Sequence, residues 1–260
     1  MELGLKDKVV IVTGGDKGIG KAIVEELAAE GAIPVILGRT EVDVVNVFEE
    51  IKQTGAKVHY RLVELTDNEQ CQKAIDEIKT TLGHIDGLVN NAGVNDQIGL
   101  EQGTYDDFIK SIKRNVGHYY QMARLCLPEL KKNKGAIVNI GSKVSVTGQG
   151  GTSGYAAANG ARDALTREWA VELLPYGIRV NAVIVAESYT SLYEKWIGTF
   201  DNPTEKLKSI QDKIPFDNRM TTTKEIADTV LFLLSNRASH TTGQLLFVDG
   251  GYTHLDRAIT

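Results

Sequence analysis

Short runs of valine, isoleucine and leucine alternate along this chain with longer segments whose apolar residues recur at helical spacing. Nearly every run is apolar throughout, which is typical of parallel strands that helices cover on both faces. The pattern therefore predicts an α/β protein with a doubly wound, parallel, seven-stranded sheet. The predicted strands are 9–12, 33–37, 57–63, 87–90, 136–140, 179–185 and 245–248. The predicted helices are 19–29, 42–51, 71–82, 105–132, 155–174 and 224–234.

The pattern also predicts a single domain over residues 1–260. No low-complexity linker divides the chain, and a hydrophobic content of 42% supports one sizeable core. The longest irregular stretch is 186–220, which contains Tyr189, Tyr193, Trp196 and Phe200. Because long loops in compact domains often close over binding sites, we expect a substrate lid there. The alternative is an extra helical hairpin that packs its aromatic side chains on the core.

Composition excludes several functional classes. A net charge of −5 without clustered cations argues against nucleic-acid binding. The first apolar run is too short for a signal peptide or a membrane span, so we expect a cytoplasmic protein without membrane contact. Cys71 and Cys126 both fall in helical patterns and are predicted to be buried thiols rather than a disulfide. The five histidines and two cysteines form no metal-binding grouping, so no metal is expected.

The segment TGGDKGIGKA joins the first predicted strand to the first predicted helix. At such a junction, backbone N–H groups and a helix N-terminus can hold a pyrophosphate. Read from Gly15, the segment is one residue from a nucleoside-triphosphate loop, but Ala22 replaces the hydroxyl that would hold Mg²⁺. Read from Thr13, it gives TGxxxGxG, which differs in spacing from the GxGxxG dinucleotide fingerprint but offers the same physical roles. A turn made glycine-rich only for packing is the alternative.

Three more segments match one enzyme family in order and spacing. They are NNAG at 90–93, Ser142 placed 13 residues before Tyr155, and VDGG at 248–251. With the TGxxxGxG turn, they make the whole chain resemble the short-chain dehydrogenase/reductase family. The resemblance implies a Rossmann fold that binds NAD or NADP, and an active site of Asn, Ser, Tyr and Lys. It assigns the first three to Asn115, Ser142 and Tyr155, whereas Asn159 stands at the lysine position.

The resemblance also implies which residues hold the dinucleotide: Gly14, Lys17, Gly18, Ile19, Gly20, Arg39, Glu64, Leu65, Asn91, Ala92, Gly93, Tyr155, Asn159 and Thr190. A carboxylate at the end of the second strand suits the ribose hydroxyl of NAD, whereas cations suit the phosphate of NADP. Gly38 stands where NAD-preferring relatives carry Asp, and Arg39 and Lys17 are cations within reach. We therefore expect NADP. NAD is the alternative, with both cations solvated or paired with Asp16.

Asn159 is the departure that bears most directly on chemistry. Tyr155 and Asn159 lie four residues apart and share one helix face. The family gives Ser142 the substrate oxygen and Tyr155 the proton, but a tyrosine of pKa about 10 is a poor base at neutral pH. A lysine ammonium about 4 Å away would lower that pKa by about 3, whereas asparagine carries no charge. We therefore expect a weakened proton relay, and at least about tenfold faster neutral-pH oxidation in Asn159→Lys.

Segments such as NNAGVNDQIGL and TTGQLLFVDGGYTHLDRA resemble bacterial sugar dehydrogenases of the family, most closely those similar to L-fucose dehydrogenase. The resemblance implies hydride transfer between the dinucleotide and a sugar alcohol or hemiacetal such as L-fucose. Polar side chains that would suit a hydroxylated ring are Asn95, Gln149, Glu187 and Trp196, the last by stacking its indole on the sugar. Alternatively, Glu187 is a solvated charge and Trp196 an anchor within 186–220.

Family members are usually dimers or tetramers built through two long helices, which implies a homotetramer or homodimer. The C-terminal HLDRAIT, residues 254–260, is placed to pack across such a boundary. A second functional hypothesis is a dinucleotide-binding protein that has lost useful turnover and serves a structural or regulatory role. Both hypotheses predict cofactor binding, so only turnover separates them.

Overall fold

The computed structural model describes residues 2–256 and contains the predicted parallel sheet. Its seven strands are ordered β3-β2-β1-β4-β5-β6-β7. The strands are β1 (Val9–Thr13), β2 (Ile33–Gly38), β3 (His59–Leu62), β4 (Gly87–Asn90), β5 (Ala136–Ser142), β6 (Arg179–Val185) and β7 (Leu245–Val248). The α-helices are α1 (Gly18–Ala29), α2 (Glu41–Gln53), α3 (Asn68–Leu82), α4 (Tyr105–Ile112), α5 (His118–Asn133), α6 (Ser153–Glu172), α7 (Ser191–Ile197), α8 (Pro203–Gln211) and α9 (Thr223–Leu234).

Helices cover both faces of the sheet, as predicted. Helices α1, α2 and α9 bury their apolar sides on one face, and α3, α5 and α6 bury theirs on the other. Within β1, Val10 and Val12 point into the first layer, whereas Val9 and Ile11 point into the second. Successive strand residues face opposite sides, so a strand between two helical layers is apolar at every position. This explains the uninterrupted apolar runs in the sequence.

The strand order reverses at β1, which pairs with β2 on one side and with β4 on the other. In open parallel sheets, such a reversal leaves a crevice beyond the carboxyl ends of the strands, where ligands bind. The glycine-rich turn follows β1 and the NNAG segment begins at the end of β4. The topology therefore brings these two distant sequence motifs to the same edge of the sheet.

The predicted continuous helix over 105–132 is wrong in one respect. A π-helical turn, Lys113–Gly117, separates α4 from α5, and it contains the buried Asn115. A π-helical turn widens the helix by one residue, is rare, and frequently lies at a functional site. Helical periodicity does not reveal it, because the residues on either side keep an ordinary amphipathic pattern.

The structure also bears on the expectations drawn from composition. Cys71 and Cys126 are buried free thiols, as predicted, and burial raises the pKa of the Cys71 thiol to about 11. Across residues 2–256, no helix is both long enough and apolar enough to cross a membrane. The C-terminal segment 254–260 is described as far as Asp256, and its last four residues lie outside the described part of the chain.

Candidate active site

A cavity of about 520 Å³ lies at the carboxyl edge of the sheet. Every residue predicted to hold the dinucleotide lines it, except Gly20 and Asn159, which are buried. Ser142, the last residue of β5, and Tyr155, in the first turn of α6, line the same cavity. The fold thus brings most of the predicted cofactor residues and two of the four predicted catalytic residues to one cavity.

The turn between β1 and α1 fits the phosphates of a dinucleotide. Gly14 and Gly18 have φ of +62° and +56°, a backbone conformation that favours glycine. A Cβ on Gly20 would lie 2.0 Å from the Gly14 carbonyl oxygen, so Gly20 lets the helix and the turn approach each other. Helix α1 begins with no side-chain cap and no acidic residue in its first turn. An uncapped helix N-terminus beside a cavity is an anion-binding feature, so these residues fit the group that the sequence predicts.

Asn91 fastens this turn to the end of β4. Its side-chain Nδ2 donates to the carbonyl oxygens of Thr13 and Gly14, at 2.9 and 3.1 Å. The Thr13 hydroxyl oxygen accepts from the backbone N–H groups of Asn91 and Ala92, at 2.8 and 3.1 Å. The predicted cofactor residue Asn91 therefore holds the shape of the turn in this structure.

Charged side chains surround the end of the cavity near β2. The Lys17 ammonium lies 2.6 Å from Asp43 Oδ2 and 3.6 Å from Asp16 Oδ2. The hydrogen bond with Asp43 raises the pKa of Lys17. Arg39 lies 3.4 Å from Glu64 Oε2, and its side chain is 75% exposed. Both predicted phosphate cations therefore line the cavity, and each has a carboxylate partner.

Gly38 is packed closely against Asp16. A Cβ at position 38 would lie 2.9 Å from Asp16 Oδ1 and 2.6 Å from a methyl group of Val44. A carboxylate at position 38 would therefore face another carboxylate as well as a steric clash. The absence of Asp at this position has a local packing reason, besides any preference between cofactors.

Asn159 is buried one helical turn beyond Tyr155 and does not reach the cavity. Its Nδ2 donates to the Tyr155 carbonyl oxygen at 2.9 Å, and its Oδ1 accepts from Arg162 Nη1 at 3.1 Å. Both ends of the amide are thus used inside the protein. A direct bond from Asn159 to a nicotinamide ribose, which the resemblance implies, stays a prediction.

Arg162 is part of this site, although the sequence reading did not single it out. The side chain is 2% exposed, yet it lines the cavity. Its Nε donates to the Asn115 carbonyl oxygen at 2.8 Å, and its Nη1 donates to the Ile140 carbonyl oxygen at 3.1 Å. The guanidinium carbon lies 6.0 Å from the centre of the Tyr155 ring. The sequence feature that could have identified Arg162 is its spacing, since positions 155, 159 and 162 share one helix face.

Asn115 lies behind the cavity wall and connects its parts. Its side-chain Oδ1 accepts from the Val94 backbone N–H at 2.8 Å, which fixes the segment that follows NNAG. Its Nδ2 lies 3.4 Å from the Ser111 hydroxyl. Its carbonyl oxygen accepts from Arg162. The π-helical turn therefore directs one residue toward both β4 and α6.

His118 also lines the cavity and is 3% exposed. Burial, together with the nearby charge of Arg162, lowers the pKa of His118 to about 3. The imidazole is therefore neutral at physiological pH and adds no charge to the site.

None of the four predicted substrate residues lines this cavity. Asn95 Oδ1 accepts from the Thr152 hydroxyl at 2.7 Å, and Gln149 is exposed. Trp196 packs edge to face against Tyr193 and Phe200, with ring centres 5.1 Å apart in each pair. Their contact with a substrate stays a prediction, and the internal packing of Trp196 matches the alternative of an anchor.

Glu187 joins the segment 186–220 to the end of β5. Its carboxylate accepts from the Lys143 ammonium, and its Oε2 accepts from the Tyr193 hydroxyl at 2.8 Å. The Lys143 ammonium also lies 3.9 Å from the centre of the Tyr252 ring. Lys143, which is next to Ser142 in sequence, thus forms an ion pair with Glu187.

The segment 186–220 contains the helices α7 and α8, as the hairpin alternative supposed. Its first part also lines the cavity, through residues that include Ser188, Thr190 and Leu192. The Thr190 hydroxyl oxygen accepts from the Tyr193 backbone N–H at 3.3 Å and so caps α7. The segment forms one wall of the cavity, and its action as a lid stays a proposal.

Comparisons with known proteins agree with this geometry. A family model described as enoyl-(acyl carrier protein) reductase matches residues 14–253. L-xylulose reductase of Bos taurus is 35% identical over 97% of this chain and 99% of its own. The crystal structure of Cj0485 dehydrogenase superposes with a TM-score of 0.94 at 45% identity, over 99% of this chain and 98% of the other. That of Thermoplasma acidophilum aldohexose dehydrogenase gives a TM-score of 0.88 at 30% identity, over 99% and 98%. Since these matches extend over nearly the whole chain, the protein belongs to the short-chain dehydrogenase/reductase family.

Proposed function

We propose that this protein transfers a hydride between NADP and a secondary alcohol or hemiacetal carbon of a sugar such as L-fucose. The observation that carries the proposal is the single cavity lined by the glycine-rich turn, Ser142 and Tyr155. Relatives named L-xylulose reductase and aldohexose dehydrogenase support a polyhydroxylated substrate. The family as a whole uses NAD(P).

In the proposed reaction, the Ser142 hydroxyl donates a hydrogen bond to the substrate oxygen and fixes its position. The Tyr155 phenol exchanges a proton with that oxygen, as a base in oxidation and as an acid in reduction. The glycine-rich turn and the N-terminus of α1 would hold the dinucleotide, which would supply or accept the hydride when bound. Asn115 keeps the cavity wall in place through its bond to Val94.

The preference for NADP rests on Arg39 and Lys17. Exposed ion pairs such as those with Glu64 and Asp43 contribute about 0–1 kcal/mol each. A charge-assisted hydrogen bond to a phosphate contributes about 1.5–3 kcal/mol. A phosphate carries more negative charge and more acceptor oxygens than a carboxylate, which favours exchange of a carboxylate partner for the 2′-phosphate, although three carboxylates stand nearby.

The test is turnover with NADP⁺ and NAD⁺ against a panel of sugars between pH 6 and 10. We expect activity with at least one aldose or deoxysugar, and a loss of about 10²–10⁴-fold in Tyr155→Phe. Tyr105→Phe removes the same hydroxyl from a side chain that is 76% exposed on α4 and serves as the control. Activity toward none of the sugars would refute the substrate assignment.

A second candidate function is a dinucleotide-binding protein with a structural or regulatory role. The observation in its favour is Asn159, which places no charge one turn beyond Tyr155. Tight cofactor binding measured by calorimetry, without turnover of any alcohol at any pH, would establish it over the oxidoreductase.

A further inference from the structure

We propose that Arg162 is a positioning residue for proton transfer at Tyr155, and that its guanidinium provides the positive charge that Asn159 lacks. This inference rests on the proposed function, because it concerns the proton that Tyr155 exchanges with a substrate. It also changes the expectation of a weakened relay, which considered position 159 alone.

The first support is the position of the charge. Arg162 lies seven residues after Tyr155 on α6, so both side chains emerge on one face of the helix. The guanidinium carbon is 6.0 Å from the centre of the Tyr155 ring. An opposite charge near an acid favours its ionised form, and this charge lies over the ring that carries the Tyr155 hydroxyl. Since arginine stays protonated at every pH at which proteins remain folded, this charge is constant.

The second support is that Arg162 forms no ion pair among the described residues. The guanidinium donates to three neutral oxygens, the carbonyls of Asn115 and Ile140 and the side-chain Oδ1 of Asn159. Among the ion pairs formed by residues 2–256, none includes Arg162. A buried cation without a carboxylate partner is costly and is uncommon outside functional sites. The hydrogen bonds therefore fix the guanidinium without cancelling its field.

The third support is that several elements make room for the side chain. A Cβ on Gly93 would lie 2.6 Å from Arg162 Nη2, so glycine leaves the space that the guanidinium occupies in this position. The π-helical turn directs the Asn115 carbonyl toward Nε from the other side. The guanidinium carbon also lies 4.3 Å from the centre of the Tyr119 ring, in a cation–π contact. Three separate parts of the chain thus converge on one side chain.

Asn159 fits this arrangement better than a lysine would. Its Oδ1 accepts from the guanidinium and its Nδ2 donates to the Tyr155 carbonyl oxygen. A chain of hydrogen bonds therefore runs from Arg162 to the turn that carries Tyr155. A lysine at this position would replace the acceptor with a second buried cation.

Other titratable and charged groups around the site do not provide this charge. They are Lys17, Arg39, Glu64, Arg114, His118, Tyr119, Lys143, Asp163, Glu187 and Lys195. Lys17 and Arg39 are paired with Asp43 and Glu64 at the end of the cavity near β2, and Lys195 is an exposed residue of α7. His118 is neutral because burial lowers its pKa to about 3. Lys143 is paired with Glu187, and Arg114 lies 3.8 Å from Asp96. Burial raises the pKa of Asp163, and the charges of Arg167 and Arg162 partly offset this rise.

The test is a titration of the Tyr155 phenol in the cofactor-free protein, which needs no turnover. The tyrosinate absorbance of each protein is measured against pH, and that of its Tyr155→Phe counterpart is subtracted. In Arg162→Gln, which keeps an amide donor but no charge, we expect the Tyr155 midpoint to rise by at least about 1 pH unit. Arg162→Lys keeps the charge, and we expect it to keep the wild-type midpoint. Arg167→Gln removes an exposed arginine of the same helix, and we expect the wild-type midpoint there too.

An unchanged midpoint in folded Arg162→Gln would overturn the proposal, and so would a rise in Arg167→Gln of the same size. If Arg162→Gln does not fold, the wild-type protein still decides: a midpoint below about 10, the ordinary value for tyrosine, supports the proposal, and a midpoint at or above it overturns the proposal. The titration uses neither sugar nor dinucleotide. Failure to find a substrate would therefore refute the proposed function without affecting this result.

Discussion

The proposed preference for NADP rests mainly on Arg39, whose side chain is 75% exposed and lies 3.4 Å from Glu64. We predict that Arg39→Ala weakens NADP⁺ binding by about tenfold or more and leaves NAD⁺ binding nearly unchanged, since one charge-assisted bond to the 2′-phosphate is lost. Calorimetric dissociation constants for both cofactors measure this. Lys21→Ala is the control, because Lys21 pairs with Glu50 away from the cavity. Equal weakening of both cofactors would argue against a phosphate contact.

Asn159→Lys leads to a different expectation once the surroundings of Asn159 are known. From the sequence, Asn159→Lys is expected to speed oxidation, because the lysine supplies a charge that Asn159 lacks. In the structure, the new ammonium would face Arg162, whose Nη1 lies 3.1 Å from Asn159 Oδ1. We therefore predict that Asn159→Lys alone lowers the free energy of unfolding by at least about 1 kcal/mol, because two buried cations would be adjacent. Urea unfolding measures this.

The double variant Asn159→Lys with Arg162→Leu is the matched comparison, because it carries one cation on the same helix face. We expect it to recover most of the stability that Asn159→Lys loses. If the single variant proves as stable as the wild type and oxidises substrate tenfold faster, the guanidinium does not fill the role proposed for it.

The burial of the Arg162 side chain could not be predicted from the sequence. An arginine in the middle of a helix usually extends into solvent. Arg162 and Arg167 carry the same charge on the same helix, but only Arg167 is exposed. Its burial depends on Gly93 and Asn115, which lie 69 and 47 positions earlier in the chain. Spacing from Tyr155 identifies the shared helix face, but only the packing of β4 and the π-helical turn shows that this face is closed.

At the level of elements, strands were the most predictable feature, because burial on both faces makes them apolar throughout. Two helix starts carry a capping side chain in the structure: Thr104 accepts from the Asp107 backbone N–H, and Thr222 forms a capping box with Glu225. The π-helical turn was not predicted, and helices over 186–220 were only the alternative to a lid. The former leaves no trace in periodicity, and the latter are short and carry few buried apolar residues.

The contact between β5 and the segment 186–220 is the basis of the next prediction. Lys143 and Tyr193 both bind Glu187, and the side chains of Lys143 and Glu187 are 11% and 15% exposed. We predict that Glu187→Gln loosens α7, because an almost buried ammonium loses its partner, at about 1.5–3 kcal/mol. Hydrogen–deuterium exchange over residues 188–197 and KM for the sugar should both increase.

Glu194→Gln makes the same chemical change at an exposed position of α7 and should alter neither quantity. Exchange that stays slow in Glu187→Gln would mean that the aromatic contacts of Trp196 hold the segment without the charge pair.

At the level of the whole molecule, apolar side chains on α5 and α6 bear on oligomeric state. Tyr120 is 57% exposed and Val171 is 69% exposed. We propose that these two helices contact a second copy of the chain, and predict that Tyr120→Glu with Val171→Glu lowers the mass measured by light scattering to that of a smaller oligomer or a monomer. Val42→Glu, at a position 68% exposed on α2, should leave the mass unchanged. A wild-type protein that is monomeric at micromolar concentration would contradict the proposal.

The buried imidazole of His118 makes the stability of the whole molecule sensitive to acid. Burial lowers its pKa to about 3 in the folded protein, against about 6.5 in the unfolded chain. Below pH 6.5, His118 binds a proton in the unfolded chain but stays neutral in the folded protein. The contribution of His118 to the free energy of unfolding is therefore fully present above pH 6.5 and decreases as pH falls toward 3. The linkage relation gives a loss of about 2 kcal/mol between pH 7 and pH 5 from this group alone. His118→Gln, similar in size and without charge, should lack this part of the decline in urea unfolding of the cofactor-free protein. If wild type and variant lose stability in parallel over that range, the imidazole is accessible to protons in the folded state, and the closed environment around Arg162 is more open to water than the packing of Gly93 and Asn115 indicates.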